Sequence, residues 1–269
     1  MKKKRYLRWD KQSATTVLYP VIFGILLLIL WQTQLLHKLL GADTFALPLP
    51  GRILRIIFDN GPTIMENIKA TVMVAVGGLF FGSILGYLLG IIATVFPKWG
   101  AGGLSIASAI SAVPIIAIAP ILNNLTKDFS DVANVRSMFA KTIVVTITCT
   151  AAMSINAYRG LNELKPYSLD LMKSYAASKL TVFLKLRIPN SVPYIFVALR
   201  VSVPASIISA LVSEYFAEFI IGVGRQIREN IVLAQYATAW AYIVVACAIG
   251  IIMYGILLAA EGALLKGRK

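Results

Sequence analysis

Six apolar stretches, each close to the length of a membrane crossing, divide this chain: about 15–36, 66–96, 104–123, 138–157, 193–216 and 237–262. A helix needs about 20 apolar residues to cross the hydrocarbon of a bilayer. Within that layer every backbone N–H and C=O must be satisfied internally, which long apolar helices do segment by segment. The pattern therefore predicts an all-α integral membrane protein, one domain over residues 1–269 with about six transmembrane helices. Composition agrees: 58% of the 269 residues are hydrophobic and 14% charged, where a soluble domain carries roughly 25% charged residues.

The net charge of +14 does not form a nucleic-acid footprint. Lys2, Lys3, Lys4, Arg5, Arg8 and Lys11 precede the first span, and Lys266, Arg268 and Lys269 follow the last. Six spans put both termini on one side. Placing them inside leaves sixteen basic residues on cytoplasmic segments and nine on exterior ones, the bias that cytoplasmic loops show. The expected layout is a cytoplasmic tail over 1–14, a large cytoplasmic loop over 158–192, and membrane lipid around the spans. The N-terminus imitates a signal peptide, but Gln32-Thr33-Gln34 follows the apolar stretch without an A-x-A-like site, so a retained first helix is expected. Cys149 and Cys247 lack a CxxC partner and read as small buried hydrophobes.

Gly78, Gly82, Gly86 and Gly90 recur at four-residue spacing in the second span. Lipid supplies no hydrophobic drive between helices, so close backbone approach through small residues carries the packing energy; the partner helix could belong to the same subunit or to a second one. In the third span, Ser111, Pro114 and Pro120 mark either a broken helix lining a conduit or an ordinary kink. Glu214, near the end of the fifth span, either lines a pathway or anchors an outer gate, or simply reaches headgroup-level water. Glu218 is expected to be exposed, and His37 to have a structural role at a span edge. The segment 43–59 predicts a turn and a short amphipathic helix at the outer interface. A GxxxxGK[ST] phosphate loop is absent, as is any credible nucleophile–base grouping, so no catalytic or metal site is assigned.

One segment is both amphipathic and basic: 156–193, with Arg159, Lys165, Lys173, Lys179, Lys185 and Arg187. A helical period places Leu171, Tyr175 and Ser178 on one stripe, with Lys173 and Ala177 beside it. By its residues alone the segment could dock on a partner or lie on lipid phosphates. The run DLMKSYAASKLTVF over 170–183, closed by Ile188-Pro189 and by Pro193-Tyr194-Ile195, resembles the EAA loop of ABC importer permeases, nearest to the nitrate, taurine and alkanesulfonate branch. Further likenesses are FALPLPG at 45–51, Ser111 to Pro120, the approach Asn156 to Leu161, and Ser213-Glu214 followed by Gly222-Val223-Gly224. Two positions depart from the family pattern: its Glu-Ala-Ala falls on Asp170-Leu171-Met172, and its glycine falls on Ala176, where the resemblance implies a turn between two short helices; the departures suggest a dedicated rather than shared ATPase.

The resemblance implies the type I importer permease fold in a bacterial cytoplasmic membrane. It also implies a homodimer of permeases, two ATPase subunits that bind ATP and Mg, and an extracytoplasmic solute-binding protein, with no cofactor in this chain. It places ATPase coupling on Asp170, Lys173, Ser174, Tyr175, Ala176, Ala177, Ser178, Leu180 and Phe183. Tyr175, Leu180 and Phe183 would be apolar anchors, since aromatic side chains dominate such contacts. Candidates for the pathway are Ser111, Pro114, Asn156, Ser209 and Glu214. The implied cargo is a small organic anion or heterocycle. A stand-alone ion-coupled carrier is the alternative; such carriers show internal repeats and midplane ionisable groups, and no convincing repeat relates the two halves here.

Overall fold

The computed structural model describes residues 11–111, 114–126, 132–216 and 221–266. Among them the chain forms α1 (Lys11–Gln32), α2 (Leu35–Leu40), α3 (Pro50–Asp59), α4 (Gly61–Val95), α5 (Pro97–Ser111), α6 (Ile115–Leu125), α7 (Ala133–Asn162), α8 (Ser168–Ser174), α9 (Lys179–Val182), a π-helical turn (Phe183–Arg187), α10 (Ile188–Tyr215), α11 (Val223–Val232) and α12 (Tyr236–Leu265). The described residues contain no strand. Among the described residues four helical segments are long and apolar enough to cross a membrane: α4, α7, the run 179–215 and α12. Within α1 the described side chains give a further apolar stretch, Leu18–Gln32. The stretch 104–123 is carried by two helices that part at Pro114, and Pro120 lies inside the second. Hydropathy is blind to that break, because proline removes a backbone donor without interrupting the apolar run.

The core is a slab of α4, α7 and α10. Gly78, Gly82, Gly86 and Gly90 are all buried against α7 of the same subunit. A Cβ on Gly82 would lie 2.7 Å from Cys149 Cβ and from the Thr146 carbonyl oxygen, and one on Gly90 would lie 2.7 Å from Ala157 Cβ. The glycine stripe therefore seats one backbone on another inside the chain, where van der Waals contact replaces the missing hydrophobic drive. α7 answers with Thr142, Thr146 and Thr150, whose hydroxyls donate to carbonyls four residues back at 2.8, 2.8 and 2.7 Å. α10 presents Ser202, Ser206, Ser209 and Ser213, all buried, to the same slab. α12 closes it with Tyr242, Val245 and Ile249 against Ile207 and Val223.

α1 to α3 form a rim. The His37 imidazole bonds the Leu47 carbonyl oxygen at 2.6 Å, Gly51 N–H donates to Gln32 Oε1 at 2.9 Å, and the Trp240 indole donates to Ala46 O at 3.1 Å. These bonds fix the 43–51 turn over the start of α12. The cysteine expectation holds for one residue only: Cys149 is buried, whereas Cys247 is exposed on the outward face of α12.

Candidate functional site

The segment between α7 and α10 is an elbow whose base is clamped and whose tip is open. The last carbonyls of a helix lack intrahelical donors, and here side chains from the π-helical turn and the start of α10 supply them. Arg187 Nη1 donates to Leu161 O and to Asn162 Oδ1, each at 2.8 Å. Asn190 Nδ2 donates to Gly160 O at 2.8 Å and to Glu163 O at 3.0 Å. Tyr194 donates its phenol to Glu163 Oε2 at 3.1 Å. Gly160 allows this approach, since a Cβ there would meet Ser191 Cα and Tyr194 Cβ at 2.8 Å. Two further bonds reach α4: Asn162 Nδ2 to Thr94 Oγ1 at 2.9 Å, and the Tyr87 and Ser191 hydroxyls at 2.9 Å. Sequence reasoning does not single out Arg187, Asn190 or Tyr194 as site residues. Their only signal is polar side chains placed beside a helix end.

At the tip, Tyr167, Tyr175, Leu171 and Leu180 are exposed, Tyr175 by 78%. Phe183 is half-buried. With Leu169, Ala177, Leu180 and Val182 it lines an open groove of about 610 Å³ that Lys173, Lys179 and Arg187 also border. The predicted continuous stripe through Leu171, Tyr175 and Ser178 does not form, because α8 stops at Ser174 and α9 starts at Lys179. The stop is a Schellman motif: Ala177 N–H donates to Met172 O at 3.0 Å and Ala176 N–H to Lys173 O at 2.8 Å. That motif puts its penultimate residue in the left-handed region, usually as glycine, and here it is Ala176 at φ +50°. Ser178 then caps α9, accepting from Thr181 N–H at 3.2 Å. Asp170 and Lys173 pair with each other at 3.3 Å while both stay exposed, and Ser174 bonds Leu171 O at 2.8 Å.

The five pathway candidates are not gathered in one place. The Ser111 side chain lies outside the described residues, and Pro114 is exposed between α5 and α6. Asn156 donates to Ala152 O in its own helix at 2.8 Å. Ser209 is buried and donates to Thr148 Oγ1 at 3.2 Å, between α10 and α7. Glu214 does not reach water: it is 0% exposed. Its Oε2 accepts from Thr71 Oγ1 at 3.0 Å and from Gly224 N–H at 2.9 Å. Thr71 Oγ1 in turn accepts from Val223 N–H, and Asn67 Oδ1 from Gly222 N–H, both at 2.9 Å. Lys141, counted among the exterior cations, is buried as well and donates to Ile221 O at 3.3 Å. These side chains together pin the 221–224 turn to α4, α7 and α10. Glu218 lies outside the described residues. Among the described residues no His, Cys, Asp and Glu cluster could hold a metal ion.

Known proteins share this architecture. The chain is 24% identical to the formylaminopyrimidine transport permease protein ThiX of Halalkalibacterium halodurans, over 94% of this chain and 96% of that protein. It is 24% identical to the nitrate import permease protein NrtB of Synechococcus elongatus, over 77% of this chain and 74% of that one. An inward-facing structure of the MetNI methionine ABC transporter superposes with a TM-score of 0.61 at 12% identity, covering 75% of this chain and 97% of that chain, a likeness of fold. The family of inner membrane components of binding-protein-dependent transport systems matches residues 82–264, which contain α7, the elbow, α10 and α11. The protein belongs to that family, the membrane-spanning permease subunits of ABC importers.

Proposed function

We propose that the elbow over 158–192 is the surface on which a separate ATPase acts, and that Tyr175 and Leu180 are its principal apolar anchors, with Phe183 at the back of the groove. The observation that carries this reading is the contrast between tip and base. Exposed aromatic and aliphatic side chains on a short helical projection suit a partner's cleft, and the hydrogen bonds from Arg187, Asn190 and Tyr194 join the projection to the α7 end. A push on α8 and α9 is then delivered to α10 and, through these bonds, to the end of α7, while the glycine stripe seats α4 on α7 so that those two helices move together. Rigid-body rotation of packed elements about an interface is an established form of switching.

Around this core we infer a homodimer of permeases, two ATPase subunits that hold ATP and Mg, a solute-binding protein on the opposite face, and no ATPase site in this chain. The termini and the elbow face the cytoplasm of a bacterial inner membrane, in keeping with the positive-charge bias. The cargo is a small organic anion or a heterocycle; ThiX, named for a formylaminopyrimidine, supports the heterocycle, whereas NrtB is named for the inorganic anion nitrate. The test is reconstitution into vesicles with and without the partner ATPase and binding protein. Solute uptake should require both partners and ATP, and uptake by the permease alone would overturn the reading. Labelling of a cysteine placed at Lys179 fixes the sidedness, since modification from outside intact cells contradicts it.

A further inference from the structure

A second charged feature lies away from the elbow, where α12 ends. Arg200 on α10 grips Glu261 on α12 with two bonds, Nε to Oε2 at 2.9 Å and Nη2 to Oε1 at 2.7 Å. Nη1 takes no part in that grip. The pair is lopsided: the glutamate side chain is 15% exposed and the arginine side chain 47%. The carboxylate is covered and the guanidinium is presented. Beside it opens a cleft of about 400 Å³ lined by Arg200, Glu261, Lys266, Leu258, Gly262 and Leu265.

We propose that this cleft binds the phosphodiester headgroup of an anionic phospholipid in the leaflet where α12 emerges. Two cations against one carboxylate leave one positive charge over, which matches one phosphodiester. Lys266 follows the last residue of α12 and stands about 7.5 Å along the helix axis from Glu261, at about 1.5 Å per residue. The two basic groups thus sit at neighbouring depths at the end of a membrane-spanning helix, where headgroups begin. The C-terminal end of a helix carries partial negative charge, so side chains must hold the anion, and Arg200 arrives from a different helix to do so. Leu258 and Leu265 offer an apolar floor for the start of an acyl chain. Basic clefts between transmembrane helices are recognised headgroup sites.

The test is native mass spectrometry of the purified transporter exchanged into phosphatidylglycerol or phosphatidylethanolamine. Two variants leave the Arg200–Glu261 grip intact: Lys266→Gln removes the second cation, and Gly262→Phe fills the cleft, where a Cβ meets nothing within 4 Å. The wild type should retain phosphatidylglycerol in preference to phosphatidylethanolamine. Lys266→Gln should lower that retention about fivefold, the effect of one basic residue near an anionic surface, and Gly262→Phe should abolish it. Equal retention of the two lipids, or undiminished phosphatidylglycerol in either variant, overturns the proposal. Displacement of the lipid by millimolar inorganic phosphate alone would make the ligand a free anion and overturn it equally.

Discussion

Arg187 and Leu161 are joined across the root of the elbow, the guanidinium donating to the backbone carbonyl oxygen at 2.8 Å. The same nitrogen reaches Asn162 Oδ1 at 2.8 Å. One side chain at the start of the helix that leaves the elbow therefore holds the end of the helix that enters it. Arg187→Ala would leave the Leu161 carbonyl without that donor, at about 1.5–3 kcal/mol for a hydrogen bond to a charged group. The expected phenotype is slippage: ATP hydrolysis persists in reconstituted vesicles while solute moved per ATP falls severalfold. Parallel loss of both activities would instead mean that the elbow no longer docks.

Docking itself is carried by the tip. Tyr175 is 78% exposed and Leu180 66%, so neither contributes much to the fold of the isolated subunit. The double replacement Tyr175→Ala with Leu180→Ala should leave thermal stability unchanged. It should weaken ATPase association about 30-fold or more, the effect of removing an interface anchor worth about 2 kcal/mol. Co-elution of the two subunits over a concentration series measures this.

Much of this architecture can be read in the one-dimensional pattern, because lipid imposes long apolar helices and leaves basic loops conspicuous. The elbow stands out as the basic amphipathic segment, and Gly78 to Gly90 announce a close helix contact. What hides is whatever depends on partners remote in sequence. Glu214 looks like a residue at a span end, and only Thr71, 143 residues away in sequence, and the 221–224 turn make it buried. Ser202 and Ser206 of α10 look like ordinary tolerated polar residues, yet both are fully buried in the slab. The split of α8 from α9 is hidden from propensity alone, since alanine is the best helix former and Ala176 and Ala177 read as helix. The family resemblance, whose glycine falls on Ala176, is what points to a turn between two short helices there, and the chain closes a Schellman motif at that place.

Ala176 sits at φ +50°, a region in which a Cβ costs about 1–2 kcal/mol. Ala176→Gly should remove that strain, partly offset by the larger entropy of a flexible glycine. The expected net effect is slower hydrogen exchange at the Ala176 and Ala177 amides, about threefold to tenfold, with no change in subunit assembly. Faster exchange would mean that the turn is held by a partner rather than by its own two hydrogen bonds.

The glycine stripe makes a sharper test through a matched control. At Gly82 the atoms that crowd a new Cβ include the Thr146 carbonyl oxygen at 2.7 Å, and backbone cannot step aside as a side-chain end can. Gly82→Ala should cost about 1–3 kcal/mol by overpacking, and Gly82→Leu should abolish the folded subunit. Gly250 lies in the membrane-spanning α12, where an added methyl would meet nothing within 4 Å. Gly250→Ala should be neutral or gain up to about 1 kcal/mol of helix propensity. Thermal unfolding in detergent of the three variants orders them, and equal tolerance at both glycines would dismiss the close-contact argument.

Glu214 and Lys141 pose the last question, because both are buried and each lies in the other's electrostatic field. Glu214→Gln keeps the shape and an oxygen for Thr71 and Gly224, yet removes the charge that faces Lys141. Removing one of two buried charges that feel each other should destabilise the fold, since the other loses its compensating field. Lys141→Met alone should also destabilise, by exposing the same imbalance from the other side. The double variant should then be more stable than either single one, with a coupling energy above about 1 kcal/mol. Unfolding temperatures of the four proteins give the cycle. Additive losses would show that the two side chains hold the 221–224 turn independently, through Gly224 and Ile221, and not as a pair.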